Sequence, residues 1–176
     1  ETYAALRFEI DSWRWADVPF FIRTGKRMPV TATEVIATFR RPPQRLFDET
    51  LPPRANYLRF RLGPDRIAIA LGVRTKDAGE AMVGAETELY ACNSRTDEMT
   101  PYERLLGDAM RGDATLFARQ DSVEVAWDIV DRLLASGPQA EPYASGSWGP
   151  VAAARMVERF GGWYDPPSVS IAAPCD

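Results

Sequence analysis

Lys26 is one of only two lysines in the chain, and it closes the run Val18-Pro19-Phe20-Phe21-Ile22-Arg23-Thr24-Gly25-Lys26. A compact ammonium on a flexible stem turns toward a sugar hydroxyl or a phosphate as a mobile point charge, whereas a guanidinium binds through a planar fork. Gly25 lets the backbone bend beside it. Lys26 is therefore a candidate for binding a sugar or an anion. The plainer reading is a solvated strand-end lysine, which is what most exposed basic residues are.

Few other groups could do chemistry. The sequence has no histidine, so the side chain that most often moves protons near neutral pH is missing. Asp97 and Glu98 precede Thr100, where negative charge suits the start of a helix, and nothing nearby would shift their ionisation. Cys92 and Cys175 are the only cysteines, and their separation fits neither a zinc-ligand spacing nor a disulfide framework. No catalytic residue and no metal site is expected. Trp13, Trp15 and Trp148 each sit beside a turn and read as core packing in preference to a sugar-stacking platform.

These candidates need elements to hold them. From Tyr3 to Ile10, the residues Ala4, Leu6, Phe8 and Ile10 alternate with Tyr3, Ala5, Arg7 and Glu9, the period of a half-buried strand. Val18 to Arg23 starts a second strand, with Pro19 at its beginning, and Val35, Ala37 and Phe39 mark a third. Gln44 to Arg54 reads as a surface loop. Leu58, Phe60 and Leu62, a Gly63-Pro64-Asp65 turn, then Ile67, Ile69, Leu71 and Val73 predict a hairpin. The second hairpin strand carries Ala68, Ala70 and Gly72 on its other face, so both faces are expected to be covered, one by the core and the other by a helix layer or a second subunit. Ala85 to Ala91 adds one more strand.

The period then changes. Thr100-Pro101-Tyr102-Glu103 supplies an N-cap, a first-turn proline and a capping-box glutamate. Asp121-Ser122-Val123-Glu124 opens a second helix that Gly137-Pro138 stops, and Pro150 opens a third that Gly161-Gly162 ends. Strands first and helices afterwards predict the α+β class, a large and mainly antiparallel sheet with helices packed on one face.

Composition bounds the rest. The chain has 176 residues, 45% of them hydrophobic and 26% charged, enough for one core. A net charge of -4 argues against nucleic acid as a partner. No run approaches the roughly 20 apolar residues of a membrane span, so a soluble, cytoplasmic protein without membrane contact is expected. Glu1 opens inside a strand pattern, so the chain reads as a portion of a longer one.

Three blocks, ETYAALRFEIDSWRWADVPFFIRTGKRMP, PYERLLGDAMRGDATLF and YASGSWGP, closely resemble the carboxy-terminal part of glucose-6-phosphate dehydrogenase. The resemblance runs from Glu1 to about Trp163. It implies residues 1–164 as a portion of the family's β+α domain, residues 165–176 as a loosely held tail, and a sheet that pairs subunits into a homodimer or tetramer. For the parent it implies the NADP-dependent oxidation of glucose 6-phosphate to 6-phosphogluconolactone in the pentose phosphate pathway. The family's NADP-binding domain and proton-abstracting histidine are not in this sequence, so the segment alone is expected to be inactive.

By the same resemblance, Lys26 falls on the family's glycine-lysine position that contacts the sugar phosphate. Thr31 stands five residues on, where the family usually presents a second basic residue to the substrate. Gly63 replaces a glutamine near the sugar. Some members bind a second, structural NADP here. Arg23 and Arg61 match its positions, but Ala32, Ile36 and Trp148 replace basic residues, so no structural NADP is expected. Without the resemblance, Arg23 and Arg61 read as ion-pair arginines, with Glu86 or Glu88 as partners. The rival to an enzyme segment is a non-catalytic homologue that serves as an oligomerisation module, and a free-standing small-ligand-binding domain is a third reading.

Overall fold

The computed structural model describes residues 2–44, 47, 54–64, 67–79, 81–93, 99–137 and 139–166. Six strands come first: β1 (Tyr3–Phe8), β2 (Phe20–Gly25), β3 (Glu34–Thr38), β4 (Tyr57–Leu62), β5 (Ile67–Lys76) and β6 (Gly84–Asn93). Three helices follow, α1 (Pro101–Arg111), α2 (Gln120–Ala135) and α3 (Val151–Val157). This is the α+β order that the change of period predicts.

The strands make two antiparallel sheets, β1-β2 and β3-β4-β5-β6. Between them the chain leaves the first ladder at Arg27, whose φ of 52° is left-handed, and passes Pro29, which has no N–H to donate. The predicted hairpin is present, with Tyr57 opposite Gly72 and Leu62 opposite Ile67. Most of the predicted loop from Gln44 to Arg54 lies outside the described residues.

Contacts divide the chain into two units, one of residues 1–94 with 142–176 and one of residues 95–141. In the second unit, α1 has the full capping box: the Thr100 hydroxyl accepts from the Glu103 N–H, and the Glu103 carboxylate accepts from the Thr100 N–H. The second box is not formed. Helix α2 starts at Gln120 with Arg119 at the cap, two residues earlier than an Asp121 cap would give, and Asp121 is bonded to the Arg119 guanidinium and the Ser122 N–H.

In the first unit, the residues that follow α3 cover one face of β1-β2. Phe21 meets Phe160 at 5.0 Å and Trp163 at 6.3 Å between ring centroids, and the Trp163 indole N–H donates to the Ala153 carbonyl at 2.9 Å. Tyr164, next in sequence, packs edge-on against Tyr57 of β4 at 4.7 Å. Residues 163–164 thus join the two sheets.

Of the two faces expected to be covered, this chain covers one. In the four-stranded sheet the buried face is Tyr57, Arg59 and Arg61 with Ala68 and Ala70, while Val35, Leu62, Ile67, Ile69 and Leu89 of the alternating apolar set lie exposed. Hydrophobic periodicity states which face needs cover, not which cover this stretch of chain supplies. The tryptophans depart from core packing as well. Trp13 is 95% exposed, Trp15 lies edge-on to Phe20 at 5.3 Å, and Trp148 stacks on an arginine. Cys92 is in a disulfide whose partner lies outside the described residues, a link the spacing gave no reason to expect. Residues 167–176 of the tail also lie outside, whereas Asp165 at its start pairs with Arg23.

Candidate functional site

Lys26 follows the last residue of β2, and both sides of its backbone are tied. Its N–H donates to the Thr2 carbonyl at 2.8 Å, and its own carbonyl accepts from the Tyr143 hydroxyl at 2.8 Å. The same hydroxyl lies 3.1 Å from the Thr2 carbonyl. One residue on, the Arg27 carbonyl accepts from the Gly146 N–H at 2.8 Å. A left-handed residue is therefore fixed from outside, which keeps such a conformation populated.

Tyr3 completes the support. A Cβ on Gly25 would meet its ring at 2.6 Å, and one on Gly149, where φ is 110°, would meet it at 2.3 Å. Tyr3 therefore sits in a slot that only two glycines leave open. Its ring lies 5.2 Å from that of Tyr143, and burial raises its phenol pKa. The segment from Tyr143 to Gly149 clamps the end of β1-β2, and the Lys26 side chain projects from it exposed. Among the described residues, the Lys26 ammonium makes no ion pair or hydrogen bond.

The other candidates part company with Lys26. Arg23, three residues earlier and on the covered face of β2, lies 4.5 Å from the Trp148 ring and 4.8 Å from the Trp163 ring, and pairs with Asp165. Arg61 donates to Glu34 at 2.7 Å. Glu34 also accepts from Arg59 at 2.9 Å, Arg59 donates to Glu88 at 3.0 Å, and Glu88 accepts from the hydroxyls of Tyr57 and Tyr90. Burial, aided by the Glu88 hydrogen bond, raises the Tyr57 pKa. Burial works against the Arg59 charge, but Tyr57, Glu88 and Glu34 outweigh it and raise that pKa.

The partners therefore differ from those read across the sheet: Glu34 and Asp165 take Arg61 and Arg23, and Glu88 takes Arg59. Thr31 stands exposed between β2 and β3. Two residues that hold the candidate side chains escaped sequence reasoning, Tyr143 at Lys26 and Asp165 at Arg23. The first lies inside the YASGSWGP block, the only signal that could have drawn attention to it.

The two positions that the resemblance gives to a structural dinucleotide are engaged within the chain. Arg23 and Arg61 are held by carboxylates of the chain, and the indole of Trp148 covers a face of Arg23. Among the described residues, no group of three or more Asp, Glu or Cys side chains is placed to hold a metal, and no helix is long and apolar enough to cross a membrane.

The chain is an α+β domain in which Arg23, Arg59 and Arg61 pair with Asp165, Glu34 and Glu88, while Lys26 stands exposed on a clamped turn. Residues 1–165 match the family described as glucose-6-phosphate dehydrogenase, C-terminal domain. The chain is 44% identical over 173 residues to glucose-6-phosphate 1-dehydrogenase of Aggregatibacter actinomycetemcomitans, covering 96% of this chain and 35% of that protein. It is 39% identical over 168 residues to glucose-6-phosphate 1-dehydrogenase 1 of Mycobacterium tuberculosis strain H37Rv, with 94% and 35% covered. The crystal structure of glucose-6-phosphate 1-dehydrogenase from Mycobacterium avium superposes with a TM-score of 0.82 at 37% identity, over 94% of this chain and 36% of that one. A glucose-6-phosphate dehydrogenase solved with its substrate glucose 6-phosphate gives a TM-score of 0.74 at 30% identity, over 94% and 35%. The chain belongs to the glucose-6-phosphate dehydrogenase family, as a C-terminal domain, and spans about a third of the length of these relatives.

Proposed function

We propose that this chain is the substrate-side and subunit-pairing part of an NADP-dependent glucose-6-phosphate dehydrogenase, which oxidises glucose 6-phosphate to 6-phosphogluconolactone in the cytoplasm. The observation that carries the reading is the exposed, unpaired ammonium of Lys26 on a turn whose backbone is fixed on both sides. Such a group meets a phosphate dianion as an aimed point charge, and holding the substrate in register is what a positioning residue contributes to rate. Thr31 adds a hydroxyl that can bond a phosphate or sugar oxygen but carries no charge. Arg23 and Arg61 are structural, and no structural NADP binds here.

NADP, held by the upstream part of the parent, accepts the hydride from C1. The base that takes the C1 hydroxyl proton also belongs upstream, since this sequence has no histidine. Purified alone, the 176-residue chain should reduce no NADP with glucose 6-phosphate while the full-length enzyme does. Turnover by the isolated chain would overturn the division of labour.

The open apolar face of β3-β4-β5-β6 supports pairing of subunits. Val35, Phe60 and Ile69 lie side by side in register, as do Leu58, Leu71 and Leu89. Contiguous apolar surface of this kind marks an interaction site, and we assign it to a second copy in a homodimer or a tetramer. The same face favours the rival, a non-catalytic assembly module. A coding sequence with a nucleotide-binding glycine turn and a histidine-bearing helix upstream supports the enzyme, and an unrelated upstream domain supports the module.

A further inference from the structure

We propose that Tyr143 is a positioning residue for Lys26, and that its hydroxyl sets the affinity for the phosphorylated sugar without touching it. This inference rests on the reading of Lys26 as the phosphate-side cation.

The geometry supplies the argument. Lys26 has a long side chain, so the volume its ammonium sweeps depends on how firmly its Cα is held. On the N-terminal side that hold is the 2.8 Å bond from its N–H to Thr2, an extension of the β1-β2 ladder. On the C-terminal side the ladder has ended, and the Lys26 carbonyl faces a left-handed Arg27. There the Tyr143 hydroxyl donates to the Lys26 carbonyl at 2.8 Å. It also lies 3.1 Å from the Thr2 carbonyl that receives the Lys26 N–H. A phenol has one proton, so this contact is shared between the two carbonyls and stitches the strand end shut. Gly146, three residues further along the same segment, holds the Arg27 carbonyl at 2.8 Å.

The Tyr143 ring is anchored separately, 5.2 Å from Tyr3. Tyr143→Phe therefore removes the hydroxyl and leaves the ring packing in place. The turn then loses its tie at the Lys26 carbonyl and keeps only the one at Arg27, and the ammonium is spread over more positions. Affinity for the anion falls, while steps that follow binding are untouched.

The test is steady-state kinetics of the full-length enzyme with glucose 6-phosphate for Tyr143→Phe, Lys26→Ala and the double variant. Tyr143→Phe should raise KM about five-fold, the equivalent of one ordinary hydrogen bond, with kcat unchanged. In the Lys26→Ala background the same substitution should change KM by less than about two-fold, because the group it positions is gone. A wild-type KM for Tyr143→Phe overturns the inference, and so does an equal KM change in both backgrounds or a loss confined to kcat. If Lys26→Ala itself leaves KM unchanged, the reading of Lys26 fails instead, and the two failures are told apart.

Discussion

Arg23 and Lys26 lie three residues apart at the end of β2, carry the same charge, and have opposite fates. Arg23 is on the face of β1-β2 that the flanks of α3 cover, against the indoles of Trp148 and Trp163 and the carboxylate of Asp165. Lys26 has passed the end of the ladder and holds its charge outward, with only its backbone engaged. Their surroundings give a rule for sorting cations in such a domain. A charge answered by the chain's own acids builds the structure, and a charge left unanswered on a braced backbone is available to a ligand.

The sorting breaks first, if it is wrong, at the buried pairs. Glu34 is a shared partner of Arg59 and Arg61, so Glu34→Ala removes one buried carboxylate from both guanidiniums. A loss of about 3 kcal/mol is expected in denaturant unfolding, the low end of the penalty for removing one member of a buried ion pair. Next in size is the open sheet face. Ile69→Glu places a carboxylate in the proposed subunit contact and should weaken dimerisation about 100-fold in sedimentation, roughly 3 kcal/mol. An unchanged association constant would assign that face to another cover.

Arg23→Ala removes the indole stacking and the pair with half-exposed Asp165, and should cost about 1–2 kcal/mol of stability with KM for glucose 6-phosphate unchanged. A KM effect without a stability effect would place Arg23 with Lys26. The smallest effect is at the α1 cap. Hydrogen bonds from the Thr100 hydroxyl and N–H lower the Glu103 pKa below its ordinary value. The cap's contribution is therefore complete at neutral pH and is lost as pH falls through the lowered value. Glu103→Gln should narrow the difference in α1 helicity between neutral and acidic pH, as followed by circular dichroism.

The sequence made most of the strands legible, because alternation and a glycine-proline turn act locally. The α1 capping box could be read for the same reason, since all its groups lie within four residues. The second box looked equivalent, but Arg119 sits beside Asp121 and takes its carboxylate. Which of the two faces this chain itself covers was not legible. Leu58 and Ile69 look like core residues by pattern, yet the cover that residues 142–166 provide lies over Tyr57 and Arg23.

At the site, the glycine-lysine pair could be read, and its support could not. Tyr143 and Thr2 are separated by almost the whole chain, and no periodicity links a loop tyrosine to a strand-end carbonyl. The partners of Arg23 and Arg61 were hidden for the same reason, since register across β3 and β4 and the path of the last described residues decide them.

Whether Lys26 acts on substrate and not on the fold is decided by measuring KM for glucose 6-phosphate and the thermal unfolding midpoint together for Lys26→Ala in the full-length enzyme. The expected KM is at least about ten-fold higher with the midpoint unmoved, the loss of a charge-assisted contact from an exposed side chain. A midpoint that falls while KM stays at the wild-type value would contradict it.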